Sequence, residues 1–121
     1  MLLIYYLTNH YKSTRMLSNK MVITQQNSIH FIDFEQIIYL KSDNSYTSLF
    51  IRGGKTIMVS KSLAKFQKEL ESKHFIRVNQ SYLVNKNHIE SVDKRNKFIA
   101  LYEDHSVHFT ITLKKLMGLI G

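Results

Sequence analysis

Cysteine and proline are absent from this sequence, and glycine occurs four times in 121 residues. Without cysteine there is no disulfide scaffold, no thiolate zinc site and no cysteine nucleophile, and a reducing compartment is permitted. The glycines sit in one hairpin and at the C-terminus, so neither a P-loop nor a G-x-G-x-x-G phosphate loop is present. H-E-x-x-H and G-x-S-x-G are missing as well. Long apolar runs are also lacking. The longest covers residues 1–7, far short of the about 20 that span a bilayer. No basic residue precedes it and no small-residue cleavage site follows, so it does not read as a signal peptide. The expectation is a soluble, cytoplasmic chain with no membrane insertion.

A hydrophobic share of 44% and an aromatic share of 12% set the chain apart from disordered segments. Its length suits one core that buries about two-thirds of the unfolded surface. Seventeen Lys and Arg against nine Asp and Glu give a net charge of +8, which makes a polyanion the default partner. The excess is localised. Between Asp43 and Glu69 there is no acid, yet Arg52, Lys55, Lys61, Lys65 and Lys68 lie there, and Lys114 and Lys115 add to the tail.

Organisation changes near residue 20. Residues 1–19 lack clear alternation and read as an appendage to a domain over 20–121. In that domain short β-rich runs alternate with turn residues. Strands are expected at 21–24, 28–33, 37–41, 46–51 and 55–59, with the Gly53-Gly54 pair supplying a positive-φ hairpin. Five more follow at 75–78, 82–84, 88–93, 98–102 and 106–111. The fold class is therefore mainly β: about ten short antiparallel strands in small packed sheets, with one or two short helices.

The first helix is expected at 62–72, where Leu63, Phe66 and Leu70 share a face and Ser60 or Ser62 can cap. Lysine in its first turn runs against the helix dipole, and a phosphate docked there would reverse the sign of that conflict. A second helix begins near Leu113.

Catalytic and metal chemistry find little support. His105 and His108 lie three apart in a strand and so face opposite ways. The other four histidines are scattered. The pairs Asp33/Glu35 and Glu69/Glu71 show no pocket in the sequence. No enzyme, no metal and no cofactor is expected.

Between Phe75 and Val92 the sequence is more specific. Phe75, Val78, Leu83, Val84, Ile89 and Val92 can anchor a core, while Arg77, Asn79, Gln80, Ser81 and Asn85 crowd polar donors around a turn. Amide side chains can read adenine edges, and serine or asparagine can bond phosphate oxygens. The same residues are good turn formers, and Asn85 can equally be a satisfied buried amide.

Phe75, Arg77, Ser81, Tyr82, Leu83, Val84, Asn85, His88 and Ile89 resemble the signature of the LytTR-type DNA-binding domain, an output module of bacterial response regulators. The run from Ile37 through Tyr39, Ser42 and Asn44 to Tyr46 is similar to that family's strand–turn–strand. Val59-Ser60-Lys61-Ser62-Leu63 with Phe66 and Leu70 is similar to its short helix. The resemblance spans residues 20–117 and implies a stand-alone, sequence-specific regulator of transcription. In the family, loops rather than a recognition helix enter successive major grooves of double-stranded DNA, which is bent. Carried over, the first loop is Asn44, Ser45, Tyr46 and Thr47. The second is Asn79, Gln80 and Ser81, and the third Thr112 with Lys114 and Lys115. Lys61 and Ser62 would contact phosphate. Arg77 would either pair with an acid or reach a phosphate, and Tyr46, Tyr82 and Val84 read as packing residues.

Two departures bear on base preference. Asn79-Gln80 stands where the family often has His-Arg, and Thr110-Ile111-Thr112-Leu113 where it often has Pro and Ser-Arg. A shift from guanine toward adenine at Gln80 is the resulting expectation. No receiver domain fits within residues 1–19, so control by a partner or by the appendage is expected, and homodimerisation on repeated sites stays open. The rival readings are an RNA-binding β domain and a basic protein-interaction module.

Overall fold

The structure is a computed structural model that describes residues 13–121. Expectations for residues 1–12 lie outside that range. Eleven strands and two α-helices follow one another along the chain. The strands are β1 (Ser13–Met16), β2 (Lys20–Thr24), β3 (Ile29–Asp33), β4 (Ile37–Asp43), β5 (Tyr46–Ile51) and β6 (Lys55–Val59). After helix α1 (Leu63–Glu69) come β7 (Phe75–Arg77), β8 (Tyr82–Asn85), β9 (Ile89–Asp93), β10 (Phe98–Leu101) and β11 (His105–His108). Helix α2 (Leu113–Ile120) closes the chain.

The strands form three antiparallel sheets, ordered β1-β2-β3, β6-β5-β4-β8-β7 and β11-β10-β9. The five-stranded sheet is the middle layer. Its strand β4 opens with Ile37-Ile38-Tyr39-Leu40, all four buried. An unbroken apolar run marks a strand covered on both faces. One face, with Leu40, Leu49 and Leu83, packs on Met21, Ile23 and Ile32 of the first sheet and on Leu63, Phe66 and Leu70 around α1. The other, with Ile38, Tyr39, Ile76 and Val84, packs on Ile99, Leu101, Val107 and Phe109 and on Leu116 of α2. On that side Tyr39 stacks on Phe50 at 4.3 Å, and burial together with Tyr82 pushes its phenol pKa up.

Four sequence expectations shift. A strand, β1, lies in the segment read as an appendage and pairs with β2 from Ser13↔Thr24 to Met16↔Met21. Helix α1 ends at Glu69 rather than residue 72. Strand β10 ends at Leu101, not Tyr102, because Glu103 and Asp104 take left-handed backbone angles of φ 59° and 62° and turn the chain. The last strand stops at His108 instead of Ile111. There the chain leaves β10: the Phe109 amide donates to Lys97 O, and the Thr110 amide donates across to Val78 O at 3.0 Å.

Two signature residues, Asn85 and His88, are structural. Asn85 is 2% exposed; its Nδ2 donates to Phe34 O and Ile37 O at 3.3 and 2.9 Å, and its Oδ1 accepts from the Asn87 amide. His88 Nε2 lies 2.5 Å from Glu35 O. Together they fix the short turn that launches β4, and with it the register of the middle sheet.

Candidate nucleic-acid interface

Register places the expected loops on one edge of the middle sheet. Asp43↔Tyr46 closes the β4–β5 hairpin, and Thr47↔Val59 sets the end of β6 beside it. Lys41↔Tyr82 and Arg77↔Leu83 bring the start of β8 and the end of β7 to the same edge. Asn44 and Ser45, Lys61 and Ser62, and Asn79 through Ser81 therefore emerge together.

Backbone hydrogen bonds fasten these loops. The Ser42 amide donates to Ser81 O at 2.8 Å, joining the first loop to the second. Thr110 N to Val78 O joins the second to the segment before α2. Thr47 Oγ1 donates to Lys61 O at 2.7 Å, tying the first loop to the approach to α1.

Within this edge the side chains divide by role. Asn44 and Ser45 are exposed, and Asn44 sits at φ 58°, left-handed backbone that asparagine tolerates. Thr47 is fully buried and acts through its bond to Lys61 O. Tyr46 and Tyr82 are half-buried, and Val84 is buried.

Asn79 is committed to the loop itself. Its Oδ1 accepts from the Ser81 amide at 2.7 Å, an Asx-turn, and its Nδ2 donates to His108 O at 2.6 Å. Gln80 beside it is exposed, and among the described residues its side chain makes no hydrogen bond. Ser81 is half-buried.

Arg77 takes neither expected role. Its Nε and NH2 donate to Asn79 O and Gln80 O at 2.8 and 2.6 Å, and NH1 donates to Gln67 Oε1 at 2.7 Å. All three acceptors are neutral. Burial lowers the guanidinium pKa from its usual value. Arg77 is thus the clamp that shapes the second loop from below.

The lysine conflict at α1 also has an internal answer. Lys61 Nζ bonds Glu69 Oε1 and Thr14 Oγ1 and lies 4.8 Å from the Phe66 ring centroid. Ser62 is exposed and caps α1, its Oγ accepting from the Lys65 amide. At the third loop Thr112 caps α2, its Oγ1 accepting from the Lys115 amide at 3.1 Å. Lys114 and Lys115 are exposed and in no ion pair among the described residues. Acids gather at the opposite edge, where Glu103 accepts from the Gly53 amide at 2.7 and 2.9 Å beside Arg52 and Tyr102.

Sequence reasoning missed Gln67 and Glu69, because both act on residues eight or ten positions away across a helix–strand junction. The Asn79 clip was legible as Asn-x-Ser, the pattern of an Asx-turn.

A three-layer β domain with polar loops fastened along one sheet edge defines the class, and the comparisons identify the family. The family model for the LytTr DNA-binding domain matches residues 27–118, and the chain belongs to that family. The chain is similar to the sensory transduction protein LytR of Staphylococcus saprophyticus, at 26% identity over 102 residues. That match covers 75% of this chain and 38% of the relative, so the chain spans less than half of its length. The fold is similar to the solved LytTr DNA-binding domain of a Bacillus cereus response regulator, with a TM-score of 0.70 and 20% identity. This match covers 87% of the chain and 99% of that domain. As a LytTR domain the chain is of the DNA-binding output type. Among the described residues no helix is long and apolar enough to cross a membrane.

Proposed function

We propose that this chain binds double-stranded DNA with sequence preference and regulates transcription, and that the loop-bearing edge of the middle sheet is the face that meets the duplex. Residues 20–121 are the binding unit. The observation that carries this reading is the fastening of three polar loops along one edge by Ser42–Ser81 and Val78–Thr110 backbone bonds. A preformed array of this kind presents side chains to groove edges without an ordering penalty.

Exposure and bonding assign the roles. Gln80, Asn44 and Ser45 read base edges in the major groove, with Gln80 suited to the N6 and N7 of adenine. Thr47, Asn79 and Arg77 set the loops in position. Ser62, Ser81, Thr112, Lys114 and Lys115 bond phosphates, joined by Lys61 when it leaves Glu69. Tyr46 lends packing to the first loop. Phosphate neutralisation supplies affinity, and the loop tips supply choice.

Competition among labelled duplex DNA, the same sequence as RNA, and an acidic polypeptide tests the reading. Retention of duplex DNA against both competitors is expected. Displacement by RNA would favour an RNA-binding domain, and displacement by the acidic polypeptide a protein-interaction module.

A further inference from the structure

A groove of about 700 Å³ lies between α1, β7 and α2, outside the loops described above. Lys68, His74, Arg77, Lys86 and Lys115 line it, with Glu71 as the one carboxylate among its lining residues. Its apolar lining comes from Ala64, Phe75, Ile76 and Leu119. Four formal cations against one acid, over an apolar floor, is an arrangement that like-charge repulsion disfavours unless an anion is bound. None of the four is in an ion pair among the described residues. Arg77 in particular has only neutral acceptors, and burial lowers its pKa.

From these observations we infer that the groove binds a small organic anion, with a phosphate or carboxylate held by the lysines and Arg77 and an aromatic or acyl body on Phe75, Ile76 and Leu119. The volume fits a small molecule rather than a macromolecule. Gln67 also lines the groove, so an anionic oxygen can replace Gln67 Oε1 on Arg77 NH1 with a stronger, charge-assisted bond.

The groove has two ends. Phe75↔Asn85 puts Lys86 and His74 far from the reading edge, whereas Arg77↔Leu83 brings Arg77 to it. Arg77 holds the carbonyls of Asn79 and Gln80, and Lys115 follows the third loop. An anion taking up these two cations withdraws charge from DNA phosphates, so its binding weakens DNA binding. This coupling rests on the proposed function; the groove's ligand chemistry does not.

The test uses the full, isotope-labelled chain without DNA, titrated by NMR with phenyl phosphate and, separately, inorganic phosphate. Saturable shifts centred on Ala64, His74, Ile76 and Leu119 are expected, with phenyl phosphate at least about fivefold tighter than inorganic phosphate. The double variant Lys68→Gln/Lys86→Gln, with an unchanged far-UV spectrum, loses that binding. Equal affinity for the two ions, shifts centred on Lys61 and Lys114, or unchanged binding in the double variant would each overturn the site. In a second arm, saturating phenyl phosphate lowers wild-type DNA affinity by about fivefold and leaves the double variant's unchanged. No change in the wild type overturns the coupling. If the chain binds no DNA, the proposed function fails while the titration still decides the groove.

Discussion

Lys61 and Glu69 meet across the whole length of α1, the ammonium at its start held by the carboxylate at its end. The pair removes one cation from the face expected to meet phosphate. It is half-exposed, so its own worth to the fold is small, about 0–1 kcal/mol. Glu69→Gln should therefore leave stability nearly unchanged and free Lys61 for the backbone of DNA. The slope of log affinity against log salt should steepen by about one phosphate contact. Binding isotherms at several salt concentrations check this.

Asn85 tests the scaffold rather than the surface. Asn85→Ala removes the donors to Phe34 O and Ile37 O inside the core. A loss of about 1–3 kcal/mol in urea unfolding is expected, the usual result of leaving buried partners unsatisfied. Asn85→Asp should be worse, since a carboxylate there would face two carbonyl oxygens.

Arg77 separates loop shape from charge. Lysine keeps the charge but lacks the planar fork that reaches Asn79 O, Gln80 O and Gln67 Oε1 at once. Arg77→Lys should lower DNA affinity about tenfold, in line with one charge-assisted hydrogen bond. Exchange protection of the Ser81 amide should fall in parallel, while the melting temperature changes little.

Acid stability has an identifiable contributor in Asp93. Its carboxylate accepts from the Asn96 amide, the Asn96 side chain and the Arg95 amide, and these bonds hold its pKa below the usual carboxylate value. Because the folded pKa is the lower one, the contribution is complete above the unfolded value and lost as pH falls through the folded value. The melting-temperature gap between wild type and Asp93→Ala should be widest near neutral pH and close in acid.

Much of the fold was legible because its signals are local. The Gly53-Gly54 pair makes the expected hairpin at φ 86° and 80°, and the Leu63/Phe66/Leu70 face buries as its spacing requires. Strand β1 was not legible: its Ser-Thr-Arg-Met sequence lacks alternation and is ordered by pairing with β2. The end of β11 was misjudged because Val107 to Ile111 alternates perfectly well, yet a tertiary bond to Val78 redirects the chain. At the candidate interface the loops themselves were readable from turn chemistry and family likeness. The division of labour within them was not. Whether Asn79 or Gln80 faces outward depends on His108 O, 29 positions away.

The most direct test of the central claim is selection of bound duplexes from a random pool by the purified wild-type chain and by Gln80→Ala. Wild type should enrich a defined motif, and the variant should keep salt-dependent binding while losing preference at particular base pairs. No enrichment by wild type, or a uniform loss of affinity across all sequences in the variant, would contradict it.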